Sequence, residues 1–143
     1  MRTREETNVL ILCTGNSARS QMAEGLLRDR AGDRMRVESA GTKPSHVHPL
    51  AIRAMDEVGL DLREHRSKYL NEFTSTPFTY VITVCDHAAE TCPVFPGLAE
   101  RLHWSQPDPA AVEGSEDERL EAFREVRDAL TERIETWLLE KRL

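Results

Sequence analysis

The feature that most constrains the fold is a strand-like run that leads through a short polar turn directly into a helical pattern. Residues 8–13 form an apolar run rich in β-forming side chains, and the run ends at Thr14 and Gly15. Residues 20–30 then carry apolar side chains at helical spacing, and this pattern closes at Gly32. Short continuous apolar runs are typical of strands buried on both faces, and glycine commonly follows the end of a helix. The segment therefore predicts the strand and helix of half a βαβ unit.

The rest of the chain continues this alternation of strands and helices. The predicted elements are a weak strand at 36–40, a helix at 49–58, a short helix at 67–73, a strong strand at 80–84, an edge strand at 101–104 and a long final helix that a capping box opens at Ser115. Strands that alternate with helices favour a parallel sheet. We therefore predict an α/β fold, with residues 1–7 as a flexible arm and residues 8–143 as a single domain.

Composition narrows the class of function. The 143 residues, of which 39% are apolar, suit one domain with an ordinary core. The net charge is −6 and the 19 Lys and Arg residues are scattered, which argues against binding to nucleic acid or to a membrane surface. There is no signal peptide and no apolar run of membrane-spanning length, so we expect a cytoplasmic protein. The three cysteines are too few for a secreted disulfide framework and leave catalysis, redox chemistry and buried packing open.

The loop after the first predicted strand has the composition of an oxyanion-binding site. Cys13 ends the strand, and Arg19 follows after five intervening residues, where the helix starts. Inward-pointing backbone N–H groups and the positive end of the helix dipole attract an anion, and Gly15 and Asn16 tolerate the positive φ that such a curl needs. Arg19 can hold two oxygens of a tetrahedral oxyanion, and its charge predicts a lowered pKa and a thiolate at Cys13. We expect the Ser20 hydroxyl to hydrogen-bond that thiolate. The predicted substrate-binding residues are Thr14, Gly15, Asn16, Ser17, Ala18, Arg19 and Ser20.

A second thiol is predicted to lie near the first. Cys85 directly follows the strong strand at 80–84, just as Cys13 ends the strand before it. Ligands of open α/β sheets bind outside the carboxyl ends of the strands. We therefore expect Cys13 and Cys85 to share one crevice.

Several stretches of the chain carry a resemblance to a known family. They are residues 9–25, 37–42, 54–59, 84–86, 92–93, 103–104 and 108–109. Together they resemble the low-molecular-weight protein tyrosine phosphatase superfamily, and specifically its arsenate reductase branch, over nearly the whole chain from Asn8. The resemblance implies a four-stranded parallel sheet flanked by helices, with the anion-binding loop after the first strand. It also implies that Asp108, in an Asp-Pro pair, is the general acid that protonates the departing oxygen.

The loop cannot distinguish phosphate from arsenate, which have the same shape, but the other thiols can. Reduction of arsenate takes two electrons, which two thiols supply when they form one disulfide. By resemblance to the thioredoxin-coupled reductases, Cys13 attacks arsenic, Cys85 releases arsenite, and Cys92 takes over the disulfide as a Cys85–Cys92 bond that thioredoxin reduces. The implied function is arsenic detoxification, with arsenate and thioredoxin as partners. No tightly bound cofactor and no metal are implied, and we expect a monomer.

Two other functions stay open. A small tyrosine phosphatase would use Cys13, Arg19 and Asp108 alone, and a weak phosphatase side activity is expected in either case. Phosphatases of the family usually carry tyrosines after the Asp-Pro pair, whereas small aliphatic residues stand at 110–112 here, which favours a small inorganic substrate. The third function is a non-catalytic sensor of oxyanions or redox state.

The chain departs from the family pattern at two positions. Ala18 stands where several members have a second cysteine in the loop, and this change leaves the proposed thiols intact. Some reductases bind an alkali cation near the loop through residues that match Asn16, Glu24 and Ser39 and an acidic side chain. Lys68 stands at the acidic position, so we predict that its ammonium group replaces the cation.

Overall fold

The computed structural model describes residues 7–86, 88, 97 and 99–142. Cys92 and residues 1–6 of the predicted arm lie outside this part of the chain. The strands are β1 (Thr7–Cys13), β2 (Met35–Gly41), β3 (Tyr80–Thr83) and β4 (Glu100–His103), and the helices of eight or more residues are α1 (Arg19–Ala31), α2 (Pro49–Asp56) and α3 (Glu116–Lys141). Thr7, which we assigned to the arm, instead begins β1 and pairs with Met35. The predicted short helix at 67–73 is a 3-10 turn at Leu70–Phe73.

The strands form one parallel sheet, as the alternation of strands and helices predicts. Their order in the sheet is β2-β1-β3-β4. Strand β1 lies inside the sheet, and its residues 9–12 are fully buried, which explains why its sequence is continuously apolar. Cys13 stands opposite Gly41 of β2, Leu12 stands opposite Thr83 of β3, and Thr83 stands opposite His103 of β4. The carboxyl ends of the strands therefore meet at one edge of the sheet.

The long helix α3 closes the core over α1 and α2. Its start is fixed by the predicted capping box, in which the Ser115 hydroxyl accepts from the Glu118 N–H at 3.1 Å and the Glu118 carboxylate accepts from the Ser115 N–H. Its apolar stripe is buried, at Leu120, Phe123, Val126, Leu130, Ile134 and Trp137. None of the described helices has both the length and the apolar character of a membrane span.

The loop between β1 and α1 is fastened to the segment that follows β2. Backbone N–H groups of this segment donate to the loop's carbonyl groups at 2.8–3.3 Å, in the pairs Thr42 to Cys13, Lys43 to Thr14, Ser45 to Gly15 and His48 to Ser17. Because these carbonyls point outward, the N–H groups on the other side of the loop face its interior. The parallel pairing of β1 with β2 thus shapes the loop.

Gly41 permits this close contact. A Cβ atom at Gly41 would lie 2.5 Å from the Thr14 carbonyl oxygen and 2.9 Å from the Asn16 nitrogen, both of which are backbone atoms that cannot rotate away. Gly15 lies in the loop itself, but its backbone is outside the left-handed region, and a Cβ there would meet nothing closer than 3.6 Å. The glycine that the loop requires is therefore Gly41.

We predict that Gly41→Ala destabilises the protein by about 1 to 3 kcal/mol, because the new methyl group must push the loop off β2. Gly15→Ala is the matched control, and we expect it to cost less than about 1 kcal/mol because its surroundings leave room. Urea unfolding of the two variants beside the wild type measures both values. Equal stabilities for the two variants would contradict the steric explanation.

Candidate active site

Three of the predicted functional side chains converge at the carboxyl edge of the sheet. Cys13 and Cys85 are free thiols, 2% and 4% exposed, and they lie close enough for each to shift the pKa of the other. The hydroxyl oxygen of Thr14 lies 3.3 Å from the Cys85 sulfur. The positive charge of Arg19 acts on both thiols. The two cysteines thus lie near each other at the carboxyl ends of β1 and β3.

The start of α1 supplies the anion-binding character of the loop. The residue at the helix cap is Ala18, which has no side chain that could accept a hydrogen bond, and the first turn carries no acidic residue. The N–H groups of the first turn therefore keep their donor capacity and the positive end of the helix dipole. The backbone N–H of Ser20 uses this capacity and donates to the Cys13 sulfur. We expected this contact from the Ser20 hydroxyl, which instead accepts from the Asn16 side chain at 2.8 Å.

Asn16 holds the curl of the loop from inside. It is fully buried and has a φ of 46°, the left-handed conformation that we expected of this position. Its side-chain nitrogen donates to the hydroxyls of Ser20 and Ser39 at 2.8 and 2.9 Å. Its side-chain oxygen accepts from the Lys68 backbone N–H at 2.7 Å and from the Gln21 side chain at 3.0 Å. The amide is saturated, so the side chain is fixed in one orientation.

Arg19 connects the loop to the segment after β4. Its Nη1 donates to the Gln106 carbonyl at 3.1 Å. Its Nε is buried and has no hydrogen-bond partner within the described part of the chain. A buried guanidinium N–H without a partner is costly unless a ligand satisfies it. The side chain is therefore suited to hold an oxyanion, as we predicted.

Asp108 lies at the rim of the site, in the segment that Gln106 ties to Arg19. One of its carboxylate oxygens accepts from the Ala110 N–H at 3.0 Å and caps the 3-10 turn Pro109–Ala111. The residue is exposed, and its charge reaches His48. The pKa of His48 is nevertheless lowered, mainly by burial and also by Arg119 and His46. Asp108 thus lies two residues from the Gln106 contact with Arg19, and its carboxylate is open to solvent.

The two thiols share one proton. The pKa of Cys85 is lowered to about 5, first by the hydrogen bond from Cys13 and then by donors at Thr14 and the Ala88 backbone. The pKa of Cys13 is raised by the hydrogen bond to Cys85 and by burial, against the opposing effects of Arg19 and the Ser20 N–H. The predicted lowering of the Cys13 pKa by Arg19 is present, but the neighbouring thiol and burial oppose it. Burial and the neighbouring thiol disfavour a second negative charge, so the pair holds on to one proton.

We predicted that the Lys68 ammonium group replaces the alkali cation that some reductases of the family bind near the loop. Its side chain is 8% exposed, and its ammonium nitrogen lies 3.4 Å from Glu24 and 3.6 Å from Glu38. Glu24 is itself 3% exposed, pairs with Arg28 at 3.2 Å and accepts a hydrogen bond from Ser39. A buried carboxylate needs such partners.

Sequence reasoning missed several residues that support the loop. Gln21 donates to the Asn16 carbonyl, and the Ser67 hydroxyl donates to the Gly15 carbonyl at 2.9 Å. His65 contacts Gln21 at 3.0 Å and lies 3.4 Å from Glu24. These residues have no motif of their own, and only the tertiary contacts reveal them.

Comparisons with known proteins support the same family over almost the whole chain. The family model described as low molecular weight phosphotyrosine protein phosphatase matches residues 8–143. An arsenate reductase from Halalkalibacterium halodurans is 43% identical over 129 residues, which cover 90% of this chain and 93% of that protein.

Two solved structures extend the comparison. One, described as an arsenate reductase in the phosphate binding state, has a TM-score of 0.80 and 32% identity and covers 94% of this chain and 98% of its own. The other is a thioredoxin-dependent arsenate reductase from Corynebacterium glutamicum, with a TM-score of 0.67 and 29% identity, covering 94% of this chain and 65% of its own.

We predict that potassium leaves the activity and melting temperature of the wild type unchanged at constant ionic strength, because the Lys68 ammonium already neutralises Glu24. Lys68→Gln should lower the stability by about 1 to 3 kcal/mol and make it potassium-dependent. Lys141→Gln, which removes a surface lysine paired with Glu100 at 3.1 Å, is the control. A several-fold, potassium-specific activation of the wild type would refute the prediction.

We also predict that the Cys85 thiolate depends on a donor at position 13. In a Cys92→Ser background, Cys85 is the remaining thiol once Cys13 is replaced. Cys13→Ser keeps a hydroxyl donor, whereas Cys13→Ala removes it and should raise the pKa of Cys85 by about one unit or more. The thiolate therefore disappears at a higher pH in the alanine variant as the solution is acidified. Ultraviolet titration of the thiolate measures both pKa values, and equal values would exclude the shared proton.

Proposed function

The chain belongs to the low molecular weight phosphotyrosine protein phosphatase family, and we propose that it reduces arsenate to arsenite. The electrons come from a thiol–disulfide relay of Cys13, Cys85 and Cys92, and thioredoxin reduces the final disulfide. The observation that carries this proposal is the proximity of Cys13 and Cys85 at the oxyanion-binding loop, where each thiol shifts the pKa of the other and the Thr14 hydroxyl lies 3.3 Å from the Cys85 sulfur. Hydrolysis of a phosphate ester needs one nucleophilic cysteine. A second thiol in contact with it, with a lowered pKa, is what a disulfide-forming reaction needs.

In the first step the Cys13 sulfur attacks arsenic. The proton of Cys13 passes to Cys85 along the hydrogen bond that already joins the two sulfurs. Arg19 and the inward N–H groups of the loop hold the arsenate oxygens and stabilise their charge. One hydroxyl group of the arsenate leaves as water with a proton from Asp108, so that a sulfur–arsenic bond replaces an arsenic–oxygen bond.

In the second step Cys85, after losing its proton to solvent, attacks the Cys13 sulfur. The disulfide bond forms and the sulfur–arsenic bond breaks, and its electron pair stays on arsenic. Arsenic(V) is thereby reduced to arsenic(III), which leaves as arsenite, while two thiols are oxidised to one disulfide. The proximity of the two thiols favours this attack.

In the third step Cys92 attacks the Cys85 sulfur and frees Cys13. The resulting Cys85–Cys92 disulfide accepts two electrons from the dithiol of thioredoxin, which restores the starting state. Cys92 lies outside the described residues, so this step rests on the family resemblance and on the thioredoxin-dependent relative from Corynebacterium glutamicum. We place the protein in the cytoplasm as a monomer that detoxifies arsenic, because the relay needs a reducing compartment. We propose no tightly bound cofactor or metal for it.

Phosphate ester hydrolysis is the second candidate function. Cys13, Arg19 and Asp108 together form the machinery that it needs, so a weak phosphatase activity is expected beside the reduction. Residues 110–112 offer no aromatic wall for an aryl phosphate, which favours the inorganic substrate. A purely sensory role would be excluded by repeated turnover.

We predict that the wild type, supplied with thioredoxin, thioredoxin reductase and arsenate, oxidises NADPH continuously, whereas Cys92→Ser stops after about one turnover because its Cys13–Cys85 disulfide cannot be passed on. Steady-state NADPH absorbance and arsenite quantification check both. Cys92→Ser should still hydrolyse an aryl phosphate, which shows that it is folded.

The opposite outcome is equally clear. If neither protein consumes NADPH while both hydrolyse an aryl phosphate in a reaction that requires Cys13, the protein is a phosphatase. Cys85 and Cys92 would then be packing residues.

A further inference from the structure

A hydrogen-bonded chain of three side chains joins the ends of β3 and β4 directly beside Cys85. Thr83 and His103 are the last residues of β3 and β4 and stand opposite each other. The hydroxyl of Thr83 lies 2.7 Å from Nδ1 of His103, and Nε2 of His103 lies 2.9 Å from a carboxylate oxygen of Asp86. The Ser105 hydroxyl donates to the same oxygen at 3.0 Å. None of these side chains has a role in the reaction steps above.

We propose that His103 is a positioning residue for Cys85, which it holds in place by binding the side chain of the next residue, Asp86. The inference rests on the proposed function, because it gives Cys85 the role of second nucleophile. It concerns a residue that makes no contact with the reacting sulfur and acts through the backbone.

The backbone hydrogen bonds show why such a contact is needed. The N–H of Val84 donates to the Leu12 carbonyl, and the Val84 carbonyl accepts from the Gln106 N–H, both at 3.0 Å. These bonds tie the chain to its neighbours as far as Val84. The hydrogen bond between His103 and Asp86 fixes the chain two residues further along, so Cys85 is held from both sides.

The position of Cys85 matters because its donors are few and directional. The Thr14 hydroxyl lies 3.3 Å from its sulfur, and the Ala88 N–H and the Cys13 thiol also lower the pKa of Cys85 as donors. A shift of the turn by a fraction of an ångström would lengthen all three contacts together. Hydrogen bonds weaken steeply with distance and angle, and a misplaced nucleophile loses rate.

The pair acts by geometry more than by charge. The side chains of His103 and Asp86 are 40% and 78% exposed, and ion pairs this open to water contribute little stability. The imidazole ring, however, is anchored at its other nitrogen to Thr83, which is 5% exposed. A ring held at both nitrogens fixes the direction in which Asp86 is bound.

There is also an electrostatic reason to bind Asp86. A free carboxylate one residue from Cys85 could turn toward Arg19 and compete with an oxyanion for its charge, and Arg19 already acts on Asp86 from a distance. Hydrogen bonds from His103 and Ser105 hold the carboxylate against β4 instead.

The test uses two substitutions of the same histidine in the full chain. His103→Gln keeps a nitrogen donor near the position of Nε2, whereas His103→Asn keeps one near Nδ1 and loses the bond to Asp86. We expect His103→Asn to slow arsenite release in single-turnover experiments by about ten- to a hundredfold and His103→Gln to stay within about threefold of the wild type. Hydrolysis of an aryl phosphate needs no attack by the Cys85 sulfur, so it should change far less than arsenite release does in His103→Asn.

Asp86 gives a second, independent pair of variants on an exposed side chain that folding tolerates. Asp86→Ala should repeat the defect, and Asp86→Asn, which keeps the accepting oxygen, should relieve most of it. Glu100→Gln, at the other end of β4, is the control for strand stability and should leave arsenite release unchanged. Wild-type rates of arsenite release in both His103→Asn and Asp86→Ala would overturn the proposal.

A titration separates this inference from the proposed function. In a background of Cys13→Ser and Cys92→Ser, the thiolate of Cys85 can be followed by ultraviolet absorbance without any arsenate. His103→Asn should shift the titration to higher pH and His103→Gln should not. If the wild type forms no arsenite, the proposed function fails, yet the titration still decides the positioning: a shift supports it, and identical curves for the three proteins overturn it.

Discussion

The fixed curl of the loop between β1 and α1 is the constraint on which the rest of the site depends. Its carbonyl groups are held outward by N–H groups of the segment after β2, and its centre is held by the saturated amide of Asn16. An anion site made of backbone N–H groups needs this preorganisation, because donors that had to reorient on binding would lose much of their value. Gly41 is part of the same arrangement, since only a residue without Cβ lets the loop approach β2 so closely.

The electrostatics of the two thiols follow from placing them in contact inside that loop. Two buried thiolates side by side would repel each other, so the pair keeps one proton, and the loop's positive field stabilises the single remaining charge. This gives the site a nucleophile and a proton acceptor from the same pair of residues. Ester hydrolysis forms no disulfide, so it does not need the second sulfur as a nucleophile.

The elements that could be predicted from the sequence are those governed by local signals. The run at 8–13, the pattern of α1 and the capping box at Ser115 depend on neighbours in the chain, and all are confirmed. The positive φ expected at Gly15 is absent, and the effect of Arg19 on the Cys13 pKa is opposed by Cys85 and burial, because both features depend on partners far away in sequence. Gly41 contacts the loop from the neighbouring strand β2, and Cys85 approaches Cys13 from the end of β3. The Asp86–His103 pair could not be predicted for the same reason, since Asp86 follows β3 and His103 ends β4.

The register of β1 against β3 explains why the second thiol is where it is. Leu12 stands opposite Thr83, so that continuing the pairing by two residues brings Thr14 level with Cys85, and their side chains are 3.3 Å apart. A slip of one residue would turn Cys85 to the other face of the sheet, away from the loop. Packing of the core fixes the register, because a slip would also move the buried side chains of Val81 and Ile82 away from the residues they pack against. The packing of the core and the meeting of the two sulfurs are therefore consequences of one alignment.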